Sequence, residues 1–386
     1  MSALDRAPRN PELLRECRAL VEALRRQPTL AKLHASPEWA TLRPRLESLL
    51  STVRRLAPGR EPAPPRDPGR VRAVHWNIEH GNWYPQVEQA LRDHPELAGA
   101  DLLTLNEVDL GMARAGNRDV AAELAAALGV HAAWAPLFLE TTPGRHDDVH
   151  EAAGHENQES LFGIALLSRW PMHDVRIVEL PSPMRFQFDT EGMYGRFIAL
   201  AATIERPSAP FVGVSAHLEV HRTRRHRAEQ MRVLLDALRE ERRPVIMGGD
   251  FNSHTFDRGR WWHPAIGALV LSTWPETWLR HRLLWPEHGP AREPLFDVLR
   301  AAGFRWERHG DRAATLRLRF ARVPEASGPL ESPLARPLLA RAERRAHLRL
   351  DWLAGRGWSA GGGATVRGLD GPGLASDHAP ITAEFW

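Results

Sequence analysis

Cysteine and lysine are almost absent from this 386-residue sequence. The single cysteine, Cys17, excludes an intrachain disulfide and gives no sign of an oxidising compartment. Lys32 is the only lysine, so nearly all of the 51 Lys+Arg residues are arginines, an excess that we attribute to a GC-rich genome rather than to phosphate binding. Because 48 acidic residues reduce the formal net charge to +3, the charge balance does not require a nucleic-acid partner.

No apolar run is suited to crossing a membrane. The most apolar stretch, residues 120–139, contains Glu123, His131 and Pro136, and most of its apolar residues are alanines. The first ten residues also lack the apolar core of a signal peptide. We therefore expect a soluble cytoplasmic protein without a transmembrane segment.

Three familiar catalytic motifs are missing as well. The sequence contains no Walker loop, no GxSxG and no HExxH, so it does not support the mechanisms that depend on them. Hydrophobic residues make up 43% and charged residues 26% of the chain, which are ordinary values for a globular protein. The length fits one large α/β domain with an appendage.

The first 57 residues have the pattern of a helical extension. Asn10 and Pro11 form a good helix start, and apolar residues follow on one helical face as far as Leu24. Ser36-Pro37 repeats the start signal before a second apolar stripe, residues 42–56. We interpret the extension as a helical pair packed on the main domain, and a docking element for a partner is the alternative.

A Pro-rich segment separates this extension from the rest of the chain. Residues 57–69 hold five prolines and two glycines, a composition typical of a linker. We therefore divide the chain into an N-terminal helical extension (1–57), a linker (58–70) and a catalytic domain (71–386).

From residue 71 onward, short apolar runs alternate with amphipathic patterns, which is typical of α/β layering. The predicted strands are VRAVHW (71–76), DLLTLN (101–106), FGIALLS (162–168), RFIALAATI (196–204), FVGVSA (211–216) and PVIMGG (244–249). The predicted helices are Tyr84–Asp93, Asp119–Leu128 and Thr223–Glu240.

Acids, amides and imidazoles follow the ends of four of these apolar runs, where loops on a rigid scaffold carry function. In addition, Asp351 lies inside a further apolar pattern, and Asp377 and His378 come just before a last predicted strand. An acid at the end of a buried run is costly unless it is paired or bound to a metal. Carboxylate and amide oxygens without cysteine favour a hard cation such as Mg²⁺ or Mn²⁺. The residues concerned are Asn77, Glu79, Glu107, His217, Asp250, Asn252, Asp351, Asp377 and His378.

The order of these motifs resembles the endonuclease/exonuclease/phosphatase superfamily over about four-fifths of the chain. The matching motifs are N-I-E (77–79), N-E (106–107), A-L-L-S-R (165–169), H-L-E (217–219), G-D-F-N (249–252), L-D-W (350–352) and S-D-H-A-P (376–380). The resemblance implies a four-layer α/β/β/α sandwich of two packed mixed β-sheets, here with the N-terminal helical extension added. It also implies a metal-dependent hydrolase of phosphoester bonds. One departure is Ile164, where many bacterial relatives carry Asn.

The resemblance assigns metal binding to three residues. Glu107 matches the family's metal-binding Glu, Asn77 matches its first-strand Asn, and Asp377 matches a further ligand. The implied cofactor is Mg²⁺ or Mn²⁺. Glu79 lies where some relatives have a second acidic ligand, and the sequence leaves its role open.

Five further residues are assigned to catalysis by the same resemblance. Asp250 matches the residue that orients or deprotonates the attacking water, and Asn252 matches its phosphate-contacting partner. His217 and His378 match imidazoles that face the phosphate and its transition state. Asp351 matches the acid that holds His378 in its tautomer.

The substrate class is left open by the sequence. A DNA endonuclease or exonuclease would use arginines along the phosphate backbone, such as those in the basic run 222–227. That run fits a solvated helix face equally well. A sphingomyelinase-like lipid phosphodiesterase would use an apolar rim, which the Trp-rich segment 255–294 could provide, although its aromatic residues are more often core. A non-catalytic binding protein on the same fold would lack part of the set of metal-ligand residues.

Overall fold

The structure is a computed structural model that describes residues 10–60, 62–144, 147–254, 263–289, 292–319, 336–359 and 361–386. The helices in these ranges are α1 (Pro11–Arg25), α2 (Leu30–Ala35), α3 (Trp39–Leu50), α4 (Tyr84–Asp93), α5 (Val120–Leu128), α6 (Asp147–Glu151), α7 (Arg224–Ala237), α8 (His263–Thr273), α9 (Glu276–Leu284), α10 (Leu295–Ala301) and α11 (Arg336–Glu343). A π-helical turn spans Gln187–Glu191. The strands are β1 (Arg54–Leu56), β2 (Val71–Asn77), β3 (Leu102–Leu110), β4 (His131–Glu140), β5 (Leu161–Ser168), β6 (Met172–Glu179), β7 (Met193–Gly195), β8 (Ile198–Ile204), β9 (Phe211–His217), β10 (Val245–Asp250), β11 (Leu316–Arg317), β12 (His347–Leu348), β13 (Asp351–Arg356), β14 (Gly361–Thr365) and β15 (Ile381–Phe385).

Two mixed sheets form the centre of the molecule. Sheet A has the order β1-β4-β5-β3-β2-β15-β14, with β7 also paired to β4, and sheet B has the order β13-β10-β9-β8-β6. Each sheet contains one parallel pair: β2 with β3 in sheet A, and β9 with β10 in sheet B. Asn77, His217 and Asp250 end β2, β9 and β10, whereas Glu107 lies inside β3, which continues to Leu110 beyond its predicted end at residue 106.

Alternation along the strands explains which side chains lie between the sheets. In β2, Val71 and Ala73 belong to the core between the sheets, whereas Val74 and Trp76 pack in the core on the outer side of sheet A. Because successive strand residues face opposite sides, His75 and Asn77 follow Ala73 to the inner side. The inner face of β2 therefore changes from apolar to polar toward its carboxyl end.

Helices cover the outer faces of both sheets. Buried residues of α1, α3, α4 and α5 share one apolar core with sheet A, and buried residues of α7 and α10 join the core of sheet B. This arrangement of helices, sheet, sheet and helices confirms the predicted four-layer sandwich with N-terminal helices. Within the described residues, no helix is long and apolar enough to cross a membrane.

The N-terminal region differs in detail from the predicted helical pair. The start at Asn10 is confirmed, because its side chain accepts hydrogen bonds from Glu12 N and Leu13 N. Ser36, however, is the C-terminal cap of the short helix α2, and α3 begins only at Trp39. The second apolar stripe also ends earlier than the sequence suggests, since α3 stops at Leu50 and residues 54–56 pair with β4. The boundaries between extension, linker and catalytic domain stay predictions.

A separate group of elements lies over one end of the sandwich. We call α8, α9, α11 and the small β11–β12 sheet the helical cap. Its own apolar core contains Leu271 of α8, Leu279 and Leu283 of α9, and Ala342 of α11. The Trp-rich segment falls partly in this cap, whereas Trp261 and Trp262 lie outside the described residues.

We predict that Gly248→Ala destabilises the protein by about 1–3 kcal/mol, the usual cost of overpacking. The two sheets approach so closely at this position that an added Cβ would lie 2.1 Å from Thr104 Oγ1 and 3.0 Å from the Cβ of His75. Urea unfolding measures the effect. Gly362→Ala is the matched strand control, because nothing lies within 4 Å of its added Cβ. Equal stability of the two variants would contradict the close approach.

Candidate active site

A cleft of about 380 Å³ opens where the polar ends of both sheets meet. The cleft brings together most of the predicted site, although the residues come from positions far apart in the sequence. The predicted site residues that line it are Glu107, His217, Asp250, Asn252, Asp377 and His378. Asn77 and Asp351 do not line the cleft, and both lie directly behind residues that do.

Asn77 links two of the acids of the site. Its Nδ2 donates to Glu107 Oε1 at 2.9 Å and lies 3.4 Å from Asp250 Oδ2, while its Oδ1 accepts from the backbone N of Glu79 at 3.1 Å. Asn77 therefore orients both carboxylates from behind. Its predicted role as a metal ligand stays a prediction. Glu79 does not line the cleft.

Asp250 ends β10 and is almost fully buried. Its backbone N donates to Asn106 Oδ1 at 2.8 Å, and its Oδ1 accepts from the backbone N of Asn252 at 2.8 Å. Burial, reinforced by the nearby negative charge of Asp351, raises the pKa of Asp250. A raised pKa makes this carboxylate a better proton acceptor than an exposed aspartate.

Asn252 is held in an unusual backbone conformation. Its φ is +47°, in the left-handed region that asparagine tolerates better than most residues. Its Nδ2 donates to the backbone O of Leu218 at 2.8 Å, which ties the loop after β10 to the loop after β9. The amide thus holds two site loops together at the edge of the cleft.

Asp351 is shared between two imidazoles. Its Oδ1 lies 3.0 Å from His75 Nε2, and its Oδ2 lies 2.7 Å from His378 Nδ1. Burial alone would raise the pKa of Asp351, but His378 and His75 lower it well below its ordinary value. Burial likewise lowers the pKa of His378, yet contact with Asp351 raises it well above the usual imidazole range. At neutral pH this pair is therefore a carboxylate and an imidazolium.

The pKa of His217 is shifted in the opposite direction to that of His378. Burial lowers the pKa of His217 to about 4, so its ring is neutral at neutral pH. Its Nε2 lies 3.8 Å from Asp250 Oδ2 and 4.0 Å from Glu107 Oε1, which are too long for direct hydrogen bonds. The three side chains therefore surround a space rather than bind one another.

The donor set suits a hard cation. Glu107 Oε1 and Oε2 and the carboxylate of Asp377 offer oxygen ligands at the cleft, and about a fifth of the Glu107 side chain is exposed there. Among the described residues, Asp250, Asp351 and His378 also place ligand atoms within 4.8 Å of one another. We favour Glu107 and Asp377 as ligands, because both line the cleft, whereas Asp351 is fully buried behind it.

The sequence did not single out His75 or His80, and it gave Asn106 no role of its own within the N-E motif. His75 lies inside an apolar run, where a polar residue is a weak signal for function. His80 Nε2 lies 3.3 Å from Glu107 Oε2. Burial and the charge of Arg114 lower the pKa of His80, but the carboxylates of Glu107 and Asp109 outweigh them and raise it to about 9. His80 therefore braces the side of Glu107 that Asn77 does not reach.

The basic run after β9 does not form one phosphate-binding face. Arg227 is fully buried, and its Nη2 donates to Glu293 Oε1 at 2.7 Å. Arg222 Nε donates to the buried Glu219 at 3.3 Å. Two of the four arginines therefore have structural partners, and the buried Arg227 lies on neither a phosphate-binding face nor a solvated one.

Several known proteins are similar to this chain in sequence or in structure. Residues 74–378 match the model of the "Endonuclease/Exonuclease/phosphatase family". Similar solved structures include an endonuclease/exonuclease/phosphatase from Beutenbergia cavernae, with 19% identity over 82% of this chain and 71% of that chain and a TM-score of 0.48. A family protein from Leptotrichia buccalis shows 13% identity over 82% of this chain and 99% of that chain, with a TM-score of 0.49. The human Nocturnin catalytic domain, with bound sulfate, shows 16% identity over 84% and 96%, with a TM-score of 0.46. No curated protein matches the sequence.

We predict that Asp351→Asn lowers the free energy of unfolding by about 3–5 kcal/mol, because it leaves a buried imidazolium without its anion. The lowered pKa of Asp351 means that its contribution is lost as the pH falls through its folded pKa. The raised pKa of His378 means that its contribution is lost as the pH rises through its folded pKa. The difference should therefore be largest between about pH 5 and pH 7, and urea unfolding at several pH values measures it.

Glu384→Gln is the control for this change. Glu384 pairs with Arg70 at 2.7 Å, and both side chains are more than 40% exposed. Its loss should cost at most about 1 kcal/mol. A similarly small effect of Asp351→Asn would show that the carboxylate does not stabilise the two imidazoles.

Proposed function

The chain belongs to the endonuclease/exonuclease/phosphatase family, a superfamily of phosphoesterases, and we propose that it is a metal-dependent hydrolase that cleaves phosphoester bonds by in-line attack of an activated water. The observation that carries the proposal is the convergence of Glu107, Asp250, Asp377 and His378 on one cleft. A non-catalytic binding protein on this fold would be expected to have lost part of this set. Its completeness supports an enzyme.

Asp250 is the residue proposed to orient or deprotonate the attacking water. Its Oδ1 accepts from the backbone N of Asn252, whereas Oδ2 makes only longer contacts, 3.4 Å to Asn77 Nδ2, 3.8 Å to His217 Nε2 and 4.0 Å to His378 Nε2. Oδ2 is therefore the atom that accepts a proton from the attacking water or fixes its orientation. The raised pKa of Asp250 suits this transfer.

The two cleft imidazoles differ in charge and therefore in role. His378 is kept cationic by Asp351, so it donates to a non-bridging phosphoryl oxygen and offsets the charge that develops there. His217 is neutral, so it acts as a hydrogen-bond donor or acceptor rather than as a positive charge. Asp351 is a positioning residue, because it reaches the substrate only through His378.

Glu107 and Asp377 are the proposed ligands of a Mg²⁺ or Mn²⁺ ion, with Asn77 as the third ligand expected from the sequence. When bound, such an ion supplies positive charge that polarises a phosphoryl oxygen and stabilises the leaving oxyanion. Asn77 and His80 brace Glu107 from two directions. This bracing holds the carboxylate in position before any ligand arrives.

We predict that wild-type protein hydrolyses bis-p-nitrophenyl phosphate with Mg²⁺ or Mn²⁺ and loses this activity in EDTA. Asp250→Asn should reduce turnover by at least about 10²-fold, the low end of what a general base contributes. Release of p-nitrophenolate is measured by its absorbance. The control is Asp236→Asn, an exposed residue of α7 paired with Arg239, which should leave turnover unchanged. Activity that survives both EDTA and Asp250→Asn would refute the mechanism.

We predict that Glu107→Gln raises the Mg²⁺ concentration needed for half-maximal rate by at least about tenfold, because even residues behind a ligand contribute that much to metal affinity. Titration of the rate with Mg²⁺ gives this value. Glu229→Gln, at an exposed ion pair with Arg232, is the control and should match wild type. An unchanged Mg²⁺ requirement in Glu107→Gln would remove Glu107 from the ligand set.

A further inference from the structure

Exposed apolar side chains are concentrated on the helical cap. The described residues expose eight large apolar side chains, and five of them lie on or beside α8, α9 and α11. These five are between 36% and 52% exposed: Ile266, Leu269, Trp274, Trp278 and Leu338. Single exposed apolar residues are normal, but a group on one small unit marks an interaction surface.

The exposed apolar residues lie outside a core of the cap that is already packed. The cap buries its own apolar cluster, in which Leu271 and Leu283 are each no more than 3% exposed. Arg345 donates through Nη1 to the backbone O of Leu271 at 2.7 Å and through Nη2 to the backbone O of Trp274. The outer apolar face is therefore held on a packed support.

The same helices form a wall of the catalytic cleft. Gly267, Leu271 and Leu283 line the cleft, while Ile266 and Leu269 of the same helix α8 are exposed. Phe138, Phe162 and Phe197 of the sandwich line the same cleft. Helix α8 therefore contributes apolar residues both to the outside of the cap and to the cleft that holds the proposed catalytic groups.

The surroundings of the apolar face are basic. Residues 276–285 and 336–345 contain six arginines and only two glutamates. A second cavity of about 650 Å³ next to the cap is lined by six arginines. Those six are Arg280, Arg312, Arg317, Arg344, Arg345 and Arg367, and two acids, Glu276 and Asp370, line the cavity with them. Apolar and aromatic residues flanked by arginines are the combination that binds an anionic membrane surface.

We propose that the helical cap docks on an anionic phospholipid bilayer and that the substrate of the cleft is a phospholipid. This inference rests on the proposed phosphoester hydrolysis, and it adds the substrate class. The exposed Trp and Leu side chains insert among the lipid chains, and the arginines contact the phosphate headgroups. The apolar cleft walls accept the apolar part of the substrate beside the catalytic acids. A nucleic acid would use the arginines but would leave the aliphatic face without a partner.

The test measures sedimentation of the full-length protein with vesicles, in EDTA so that no hydrolysis occurs. We expect binding to vesicles of phosphatidylcholine mixed with phosphatidylglycerol and much weaker binding to phosphatidylcholine alone. The double variant Leu269→Ser/Trp278→Ser should bind the mixed vesicles at least about tenfold more weakly, because two inserted apolar side chains are lost. Arg280→Gln/Arg341→Gln should lose the preference for anionic vesicles.

The matched control is Val149→Ser/Trp386→Ser, which removes one aliphatic and one tryptophan side chain that are 54% and 40% exposed outside the cap. It should bind vesicles as wild type does. No vesicle binding by wild type, or equal binding by Leu269→Ser/Trp278→Ser, overturns the proposal. Binding of a labelled 20-nucleotide DNA in preference to vesicles, lost in Arg280→Gln/Arg341→Gln, also overturns it in favour of a nucleic acid.

Hydrolysis of soluble bis-p-nitrophenyl phosphate separates this proposal from the proposed function. The Leu269→Ser/Trp278→Ser variant should keep the wild-type rate on this substrate, which also shows that it folds. Vesicle binding by a wild-type protein that does not hydrolyse the diester would refute the proposed function and leave the docking surface standing. Diester hydrolysis without vesicle binding would refute the docking surface and leave the proposed function standing.

Discussion

The arrangement of the site depends on the hydrogen bonds that the Asp351 carboxylate makes with two histidines. This carboxylate lies in sheet B and binds His75 from β2 of sheet A and His378 from the loop before β15. It therefore joins both sheets and one loop of the candidate site at a single buried point. The same contact sets the charge of the site, because it keeps His378 cationic beside a carboxylate, Asp250, whose pKa is raised.

The close approach of the two sheets makes this contact geometrically possible. Gly248 leaves room for Thr104 and His75 at the point where β10 faces β2 and β3. Asn106 of β3 then accepts from the backbone N of Asp250, so a second hydrogen bond joins sheet A to the end of β10. The amides and the histidine between the sheets replace the apolar packing found elsewhere, and they orient the carboxylates that face the cleft.

The described part of the N-terminal extension is also connected to the site. Arg25 Nε donates to the backbone O of Thr141 at 2.6 Å, and the backbone N of Leu30 donates to Asp189 Oδ1 at 2.6 Å. Asp189 lies in the π-helical turn whose Gln187 and Glu191 line the cleft. The helical cap contributes an apolar wall to the cleft, and it has a second apolar face toward solvent. Both additions to the sandwich therefore reach the same opening.

The sequence by itself determined six of the strands, three of the helices and the order of the motifs, because periodicity and capping are local properties of the chain. It did not predict β4 or β6. It also singled out Glu107, Asp250 and His378, which the structure places along one cleft. It did not determine that Ser36 ends a helix, since a Ser-Pro pair is compatible with either end. Only the tertiary structure decided that His75 shares Asp351, that Asn77 stands behind the cleft, and that the cap is apolar on both faces. These facts depend on which distant side chains meet, and the strand pairing and packing of the two sheets set that.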